Sequence, residues 1–177
     1  LPVPHCNLLV TFEKKKKSNS LFRLVGEGSY GKVFLVEHRQ TKTQLVAKHM
    51  ILTRARRDET DMLLSEARLC PTLRHANIVR TEEVIEEPQS IYLVMEYCKG
   101  GELFERIQKR AKSKKPYEAN QIRGWIKDIF EAVKYLHDRG LAHRDIKAEN
   151  ILLQFDDESS PLKLIDLGFA ASIKRRR

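Results

Sequence analysis

The stretch L-A-H-R-D-I-K-A-E-N-I-L-L, residues 141–153, places charged and amide side chains between two apolar ends. Asp145, Lys147 and Asn150 carry the polar chemistry, whereas Leu141 and the run 151–153 are apolar. Charged groups are costly in a segment that tends to be buried, unless they meet partners there. The spacing therefore indicates a functional loop that apolar packing holds in place.

The composition is typical of a globular protein. Of the 177 residues, 41% are hydrophobic and 32% are charged, which argues against disorder and allows one domain or two small lobes. Three cysteines, Cys6, Cys70 and Cys98, include no C-x-x-C pair, so neither a metal site nor a disulfide framework is expected from them. No apolar run approaches the roughly 18 residues of a membrane span. We therefore expect an intracellular protein, cytoplasmic or nuclear, without a membrane partner.

The chain carries excess positive charge, with 33 Lys and Arg residues against 24 Asp and Glu. Much of the excess lies in three runs, residues 14–17, 109–115 and 174–177. Such runs can contact nucleic acid, but solvated loops and tails produce them more often. Nucleic acid is therefore kept only as the weaker alternative among the partners.

Apolar runs rich in β-branched and aromatic residues predict a set of short strands. They follow a basic N-terminal extension, residues 1–19, and are K-V-F-L-V-E-H (32–38), Q-L-V-A-K-H-M (44–50) and I-Y-L-V-M-E-Y (91–97). Their close succession predicts an antiparallel meander. Later, I-L-L-Q-F (151–155) and P-L-K-L-I-D (161–166) flank a polar turn, which predicts a hairpin.

Helical periodicity is present in two places. In residues 56–73, Met62, Leu69 and Leu73 share one stripe with Glu66 in its middle. A buried carboxylate requires a basic partner, whereas an exposed one does not, and the periodicity leaves both interpretations open. A second helix is predicted by one long apolar stripe, and Gly140 predicts where it stops. The stripe consists of Ile122, Trp125, Ile126, Ile129, Phe130, Val133 and Leu136.

The glycine pattern G-E-G-S-Y-G-K-V, residues 26–33, allows backbone amides to approach phosphate oxygens. A dinucleotide-binding fold requires a helix after the third glycine, whereas here a strand pattern follows. The pattern therefore predicts a glycine-rich flap between two strands, with a plain hairpin turn as the alternative. Lys48 lies in the next strand pattern, where it could reach phosphates and also pair with Glu66.

Together these segments resemble the eukaryotic protein kinases. G-E-G-S-Y-G-K-V is similar to their glycine-rich loop, V-A-K (46–48) to the third-strand lysine motif, H-R-D-I-K-A-E-N (143–150) to the catalytic loop, and I-D-L-G (165–168) to the metal-binding D-F-G. The resemblance implies an α+β, two-lobe fold with ATP bound between the lobes. A β-rich small lobe with one regulatory helix would span residues 20–97, and an incomplete helical large lobe residues 98–177.

The resemblance also implies roles in phosphoryl transfer. Asp145 would accept or orient the proton of the substrate hydroxyl, and Lys147 would offset charge on the γ-phosphate. Asn150 and Asp166 would ligate Mg²⁺, and Lys48 would pair with Glu66. His143 would be a packing residue, and Arg144 resembles the residue that binds an activation-loop phosphate.

ATP contacts are implied for both lobes. In the small lobe they are Gly26, Glu27, Gly28, Ser29, Tyr30, Gly31, Val33, Ala47 and Lys48. Met95 would be the gatekeeper, the backbone of Glu96 and Cys98 would bind adenine, and Glu102 would reach the ribose.

The implied activity is transfer of the ATP γ-phosphate to a protein Ser or Thr hydroxyl, since Lys147 matches the serine/threonine pattern. Signals for the calcium/calmodulin-dependent and NIMA-related groups conflict, so neither is assigned. Leu167 replaces the family's Phe, and only nine residues follow Gly168, so the activation segment and later helices are absent from this sequence. We therefore expect an exposed apolar surface on the Trp125 helix, and keep a non-catalytic nucleotide-binding or decoy module as the alternative.

Overall fold

The computed structural model describes residues 23–28, 31–38, 40–54 and 56–173. The predicted extension 1–19 lies outside the described residues, as do Ser29 and Tyr30 of the glycine-rich pattern. The chain divides into two compact units, one of Leu1–Thr60 and Thr81–Tyr97, the other of Asp61–Arg80 and Cys98–Arg177. The structure thus groups residues 61–80 with the second unit, whereas the sequence analysis placed all of 20–97 in one lobe.

The first unit is built on a five-stranded antiparallel sheet. Its strands are β1 (Arg23–Gly28), β2 (Gly31–Glu37), β3 (Gln44–Ile51), β4 (Thr81–Glu87) and β5 (Ser90–Glu96). Their order is β1-β2-β3-β5-β4, and every neighbouring pair is antiparallel. The predicted meander is confirmed, and the strand after the glycine-rich pattern excludes the helix that a dinucleotide-binding fold requires. Strand β4 was not predicted, because four of its seven residues are glutamates.

One face of this sheet carries a buried apolar cluster. Side chains alternate between the two faces of a strand, so the cluster contains alternate residues of the strands that contribute to it. Its members are Val36, Leu45, Ala47 and Val94, with Phe34 and Ile85 packed against them. Full burial of a Val or Leu side chain contributes about 1.5–3 kcal/mol. This face therefore fixes the register of the central strands, since a slip of one residue would expose the cluster.

Three helices are described: α1 (Arg57–Leu69), α2 (Leu103–Lys112) and α3 (Ala119–Asp138). Helix α1 begins in the first unit and continues in the second. Asp58 and Glu59 lie in its first turn and Arg68 in its last, which suits the helix dipole. Pro71 follows in a short 3₁₀ turn, Cys70–Thr72, because proline cannot continue the α-helical hydrogen-bond pattern.

Helix α3 confirms the long periodic segment but buries only part of its stripe. Trp125, Ala132 and Leu136 are buried, and the indole Nε1 of Trp125 donates to the carbonyl of Ser160 over 3.1 Å. The helix ends as predicted: Gly140 adopts φ +70°, and its N–H donates to the carbonyl of His137. A left-handed residue at this position is a common helix stop, and glycine adopts it without strain.

The other side of the stripe is exposed, as the sequence analysis expected. Phe130 is 69% exposed, and Ile122 and Ile126 are also exposed. None of the described helices combines the length and the apolar character that crossing a membrane would require.

Short strands complete the second unit. They are β6 (Gly101–Glu102), β7 (Leu141–Ala142), β8 (Ile151–Leu153), β9 (Leu162–Leu164) and β10 (Ala171–Ser172). Strands β8 and β9 form the predicted antiparallel hairpin, β6 pairs with β8, and β10 pairs with β7. The β8–β9 hairpin and the β7–β10 pair hold the polar loop of residues 143–150.

Residues 61–80 belong to the second unit because they hydrogen-bond to its core. The N–H of Leu164 donates to the carbonyl of Asn77, and the N–H of Val79 donates to that of Leu164. The Asn77 amide also donates to the carbonyl of Leu162 over 3.0 Å. Tyr135 of α3 accepts the N–H of Arg74 at 2.8 Å. These bonds tie the segment after α1 to β9 and α3.

Candidate active site

The polar loop between β7 and β8 brings Asp145, Lys147 and Asn150 together. Lys147 Nζ lies 2.8 Å from Asp145 Oδ2. The Asn150 side-chain nitrogen donates to the same oxygen over 2.8 Å and to the Asp145 backbone carbonyl over 2.9 Å. Asn150 itself is buried in a 3₁₀ turn, Ala148–Asn150. Lys147 and Asn150 therefore orient the Asp145 carboxylate through two donors on one oxygen.

These contacts set the charge of the pair. The hydrogen bond from Lys147 is the main cause that lowers the pKa of Asp145, and the Asn150 amide lowers it further. The same bond raises the pKa of Lys147. Asp145 is therefore an ionised carboxylate at neutral pH and Lys147 an ammonium, so the loop presents a hydrogen-bond acceptor beside a cation.

His143 fixes the position of Asp145 from inside the protein. It is 2% exposed, its Nδ1 accepts the backbone N–H of Asp145 over 3.2 Å, and its Nε2 lies 2.9 Å from the carbonyl of Ile165. Since Nδ1 accepts, Nε2 carries the proton and donates. The interpretation of His143 as a packing residue is confirmed.

Two residues near this loop have left-handed backbone conformations without being glycine. Arg144 has φ +68° and Asp166 φ +61°. Such residues are strained by roughly 1 kcal/mol or more and concentrate at functional sites. The Arg144 Nε donates to the carbonyl of Phe169 over 2.6 Å, which joins the polar loop to the segment after Asp166.

Asn150 and Asp166 have the chemistry of a magnesium site. The N–H of Ile165 donates to the Asn150 carbonyl over 3.0 Å, so Asp166 follows directly on a residue that is bonded to Asn150. The side-chain nitrogen of Asn150 is committed to Asp145, which leaves its amide oxygen as an acceptor. One amide oxygen and one carboxylate are hard ligands of the kind that Mg²⁺ prefers, with water and substrate oxygens completing the shell.

Glu66 lies in the interior, which resolves the ambiguity of the α1 stripe. It is 3% exposed, and a Cβ placed on Gly168 would lie 3.5 Å from Glu66 Oε2 and 3.3 Å from Asp166 Oδ1. A side chain at position 168 would therefore crowd the Asp166 carboxylate and contact that of Glu66. Lys48 belongs to the first unit and Glu66 to the second, and their pairing stays a prediction.

In the first unit, strand register places several predicted ATP residues on one face of the sheet. Gly26 pairs with Val33, Val33 with Lys48, and Lys48 with Leu93. Directly paired residues point to the same side. Gly31, at φ +152°, cannot be replaced, since an added Cβ would lie 1.9 Å from the carbonyl oxygen of His49.

One predicted residue lies on the opposite face. Ala47 is adjacent to Lys48 in β3, is 0% exposed and belongs to the apolar cluster with Val36 and Val94. The assignment of Ala47 to ATP binding is therefore corrected: alternation along a strand separates it from Lys48. Val46, which the sequence analysis missed, shares the Lys48 face and pairs with Met95; counting two residues back from Lys48 would have identified it.

The remaining predicted nucleotide residues lie at the ends of short elements. Met95 and Glu96 are half-buried at the end of β5, and Cys98 is buried. Glu102 precedes α2. Partial burial of its carboxylate raises the Glu102 pKa, and the charges of Glu105 and Glu149 raise it further.

Comparison with known proteins identifies the family. A profile described as "Protein kinase domain" matches residues 20–177, which is most of the chain. The chain belongs to the protein kinase family.

Relatives of this kinase chain carry serine/threonine kinase names. It is 38% identical over 147 residues to calcium/calmodulin-dependent protein kinase type 1 of Caenorhabditis briggsae, covering 83% of this chain and 40% of the relative. It is 34% identical over 170 residues to the ovarian-specific serine/threonine-protein kinase Lok of Drosophila melanogaster, covering 92% and 35%. It is 38% identical over 146 residues to the serine/threonine-protein kinase Nek1 of Mus musculus, covering 82% and 12%. The chain thus spans 40% or less of the length of these relatives.

Within the second unit of the kinase chain, the predicted catalytic and metal-binding residues interact with one another. Asp145, Lys147 and Asn150 contact one another, and Asp166 contributes to the raised Lys147 pKa through its charge. Lys48 and the glycine-rich strands belong to the first unit, so their role toward the same substrate remains a prediction.

Proposed function

We propose that the chain is part of a serine/threonine kinase catalytic domain that transfers the γ-phosphate of ATP to a protein hydroxyl. The observation that carries the proposal is the contact set of Asp145, where Lys147 and Asn150 both reach one carboxylate oxygen within 2.8 Å. Phosphoryl transfer needs positioning and charge compensation more than covalent catalysis. An oriented carboxylate beside an ammonium supplies both.

In this proposal Asp145 orients the acceptor hydroxyl and receives its proton on Oδ1, since Lys147 and Asn150 contact the other oxygen, Oδ2. Lys147 places positive charge beside the transferred group. Asn150 and Asp166 would hold Mg²⁺, which when bound neutralises charge on the phosphates. The buried His143 keeps the Asp145 backbone in place throughout.

ATP binding is proposed to require residues of each unit. In the first unit these are the glycine-rich strands, Lys48, Met95 and Glu96, with Val46 in place of Ala47. In the second unit they are Cys98, through its backbone, and Glu102. The raised pKa of Glu102 shows that its carboxylate is destabilised by burial and by neighbouring charges. Hydroxyl donors, such as those of a ribose, would stabilise this carboxylate by hydrogen bonding.

The first test is an ATP titration of the chain by calorimetry, with and without Mg²⁺. We expect Mg²⁺-dependent binding that Lys48→Met and Asp166→Asn each weaken at least about tenfold, since each removes a charge-assisted contact. Lys42→Met and Asp138→Asn are matched controls, because both residues are exposed and their ion pairs lie elsewhere. Equal losses in the controls, or no binding by folded protein, would overturn the proposal.

Phosphotransfer to a Ser- or Thr-containing peptide separates a kinase from a nucleotide-binding module without catalysis. Transfer that Asp145→Ala abolishes, with ATP affinity retained, supports the enzymatic role. ATP binding without transfer would favour the non-catalytic alternative for this chain.

A further inference from the structure

One basic run of the sequence has no part in the proposed catalytic chemistry. The basic segment, Lys109–Lys115, covers the end of α2 and the start of the link to α3. Five of its seven residues are Lys or Arg. Among the described residues, Lys109, Lys112, Lys114 and Lys115 form no ion pair, and Arg110 pairs with Glu158. Four ammonium groups without an ion pair among the described residues therefore lie within seven residues of sequence.

Ser113 lies in the middle of these cations and is accessible. It is exposed, directly follows α2, and its Oγ donates to the carbonyl of Arg110 over 2.7 Å. Lys114, at φ +54°, turns the chain away from the helix axis. The hydroxyl is thus presented at a turn on the surface, with cations on both sides of it in the sequence.

Arg110 connects this turn to the hairpin of the second unit. Its Nη1 lies 2.6 Å from Glu158 Oε1, and its Nη2 donates to the carbonyl of Pro116 over 3.2 Å. Its guanidinium lies 4.9 Å from the centre of the Tyr117 ring. Its Nε, however, is buried without a hydrogen-bond partner. One donor of Arg110 is therefore left unsatisfied by the present arrangement of ion pair and hydrogen bond.

Arg110 and Ser113 line the same surface cavity. The cavity has a volume of about 350 Å³ and lies between α2, the start of α3 and the loop from β8 to β9. A second ion pair, Arg106 to Asp156 at 2.7 Å, also crosses it. The two arginines thus fasten α2 to the β8–β9 loop.

We propose that Ser113 is a phosphorylation site for a protein kinase that selects basic residues around its acceptor. Ser113 Oγ would form a bond to the γ-phosphorus of ATP while the bond from that phosphorus to the bridging oxygen breaks, so that ADP leaves. The hydroxyl proton passes to the base of the modifying kinase. The flanking lysines match the acidic surface that such a kinase presents.

Phosphorylation would redirect Arg110. The phosphate brings a charge of about −1.5 to −2 and strong acceptor oxygens. A helix C-terminus disfavours negative charge, but the four unpaired lysines offset this. Because an ester oxygen cannot donate, the bond from Ser113 to the Arg110 carbonyl is lost, and the phosphate competes with Glu158 for the guanidinium. The β8–β9 loop would then lose one of its two ion pairs to α2.

The site is tested by incubating the folded chain with a purified basic-directed protein kinase and Mg-ATP, followed by mass spectrometry. We expect phosphate at position 113, and in Ser113→Ala we expect the peptide that contains position 113 to stay unmodified. Ser159 is the matched control within the chain, since it is exposed but follows Asp156, Asp157 and Glu158, and it should remain unmodified. Absence of phosphate on Ser113, or equal modification of Ser159, would overturn the proposal.

Hydrogen exchange tests the consequence for Arg110. We expect amides of residues 155–160 to exchange about fivefold faster after phosphorylation, the scale of one surface ion pair. Glu158→Gln should produce a similar increase in the unmodified chain, and its phosphorylation should add nothing further. Unchanged exchange in the phosphorylated chain would refute the competition for Arg110.

Discussion

Replacement of His143 by phenylalanine tests how the protein holds its catalytic carboxylate. Phenylalanine places a slightly larger aromatic ring at this position, so no cavity is left, but two hydrogen bonds are lost. The Ile165 carbonyl and the Asp145 N–H would then lack their partners in the interior. Each such group costs about 1–2 kcal/mol, so we expect His143→Phe to lower the free energy of unfolding by about 2–4 kcal/mol. For a chain of this size that corresponds to a Tm lower by about 5–15 °C.

Thermal unfolding followed by circular dichroism measures this effect. His137→Phe is the matched control, since His137 is exposed in the last turn of α3 and a surface change there should stay within about 0.5 kcal/mol. A loss below about 1 kcal/mol for His143→Phe, or an equal loss for His137→Phe, would show that His143 does not anchor the loop.

Two further predictions concern ionisation. Lys147→Met should raise the pKa of Asp145 toward its ordinary value, because the ammonium is the main cause of its depression; a carboxyl ¹³C titration that shows no rise would contradict this. Burial lowers the pKa of His49, which stacks on Tyr92, and Glu87 only partly opposes the effect. The folded state therefore binds fewer protons than the unfolded state, so stability should be full above about pH 6.5 and fall as the pH drops toward the folded pKa. Urea unfolding at several pH values should show this decrease in the free energy of unfolding. An undiminished decrease in His49→Phe would show that His49 is not its source.

The strands and helices that positioned the site were predictable where the pattern was strong. Strands β2, β3 and β5 consist largely of apolar and β-branched residues, and the α3 stripe and its Gly140 stop are both present. Strand β4 was missed because a half-exposed strand rich in glutamate has no clear alternation. Its place in the sheet comes from pairing with β5, a long-range contact that local composition does not encode.

Within the site, residues close together in sequence were predicted well, whereas the side of a strand or helix on which a residue lies was predicted poorly. Asp145, Lys147 and Asn150 lie within six residues of sequence, so a short turn suffices to bring them together. Ala47 was misassigned because adjacency in sequence was taken for adjacency in space, whereas neighbouring strand residues point to opposite sides. The burial of Glu66 could not be decided from periodicity, because the residues near its carboxylate include Gly168, which is distant in sequence.

The left-handed backbone at Arg144 and Asp166 has a consequence for protein engineering. Glycine would relieve the strain at either position by roughly 1 kcal/mol, so a library screened for thermal stability alone should drift toward glycine there. That gain would delete a guanidinium that bonds the Phe169 carbonyl and a carboxylate proposed to hold Mg²⁺. Selection for stability and selection for catalysis thus favour different residues at positions 144 and 166. A stabilised variant would keep its chemistry only if Arg144 and Asp166 were both retained.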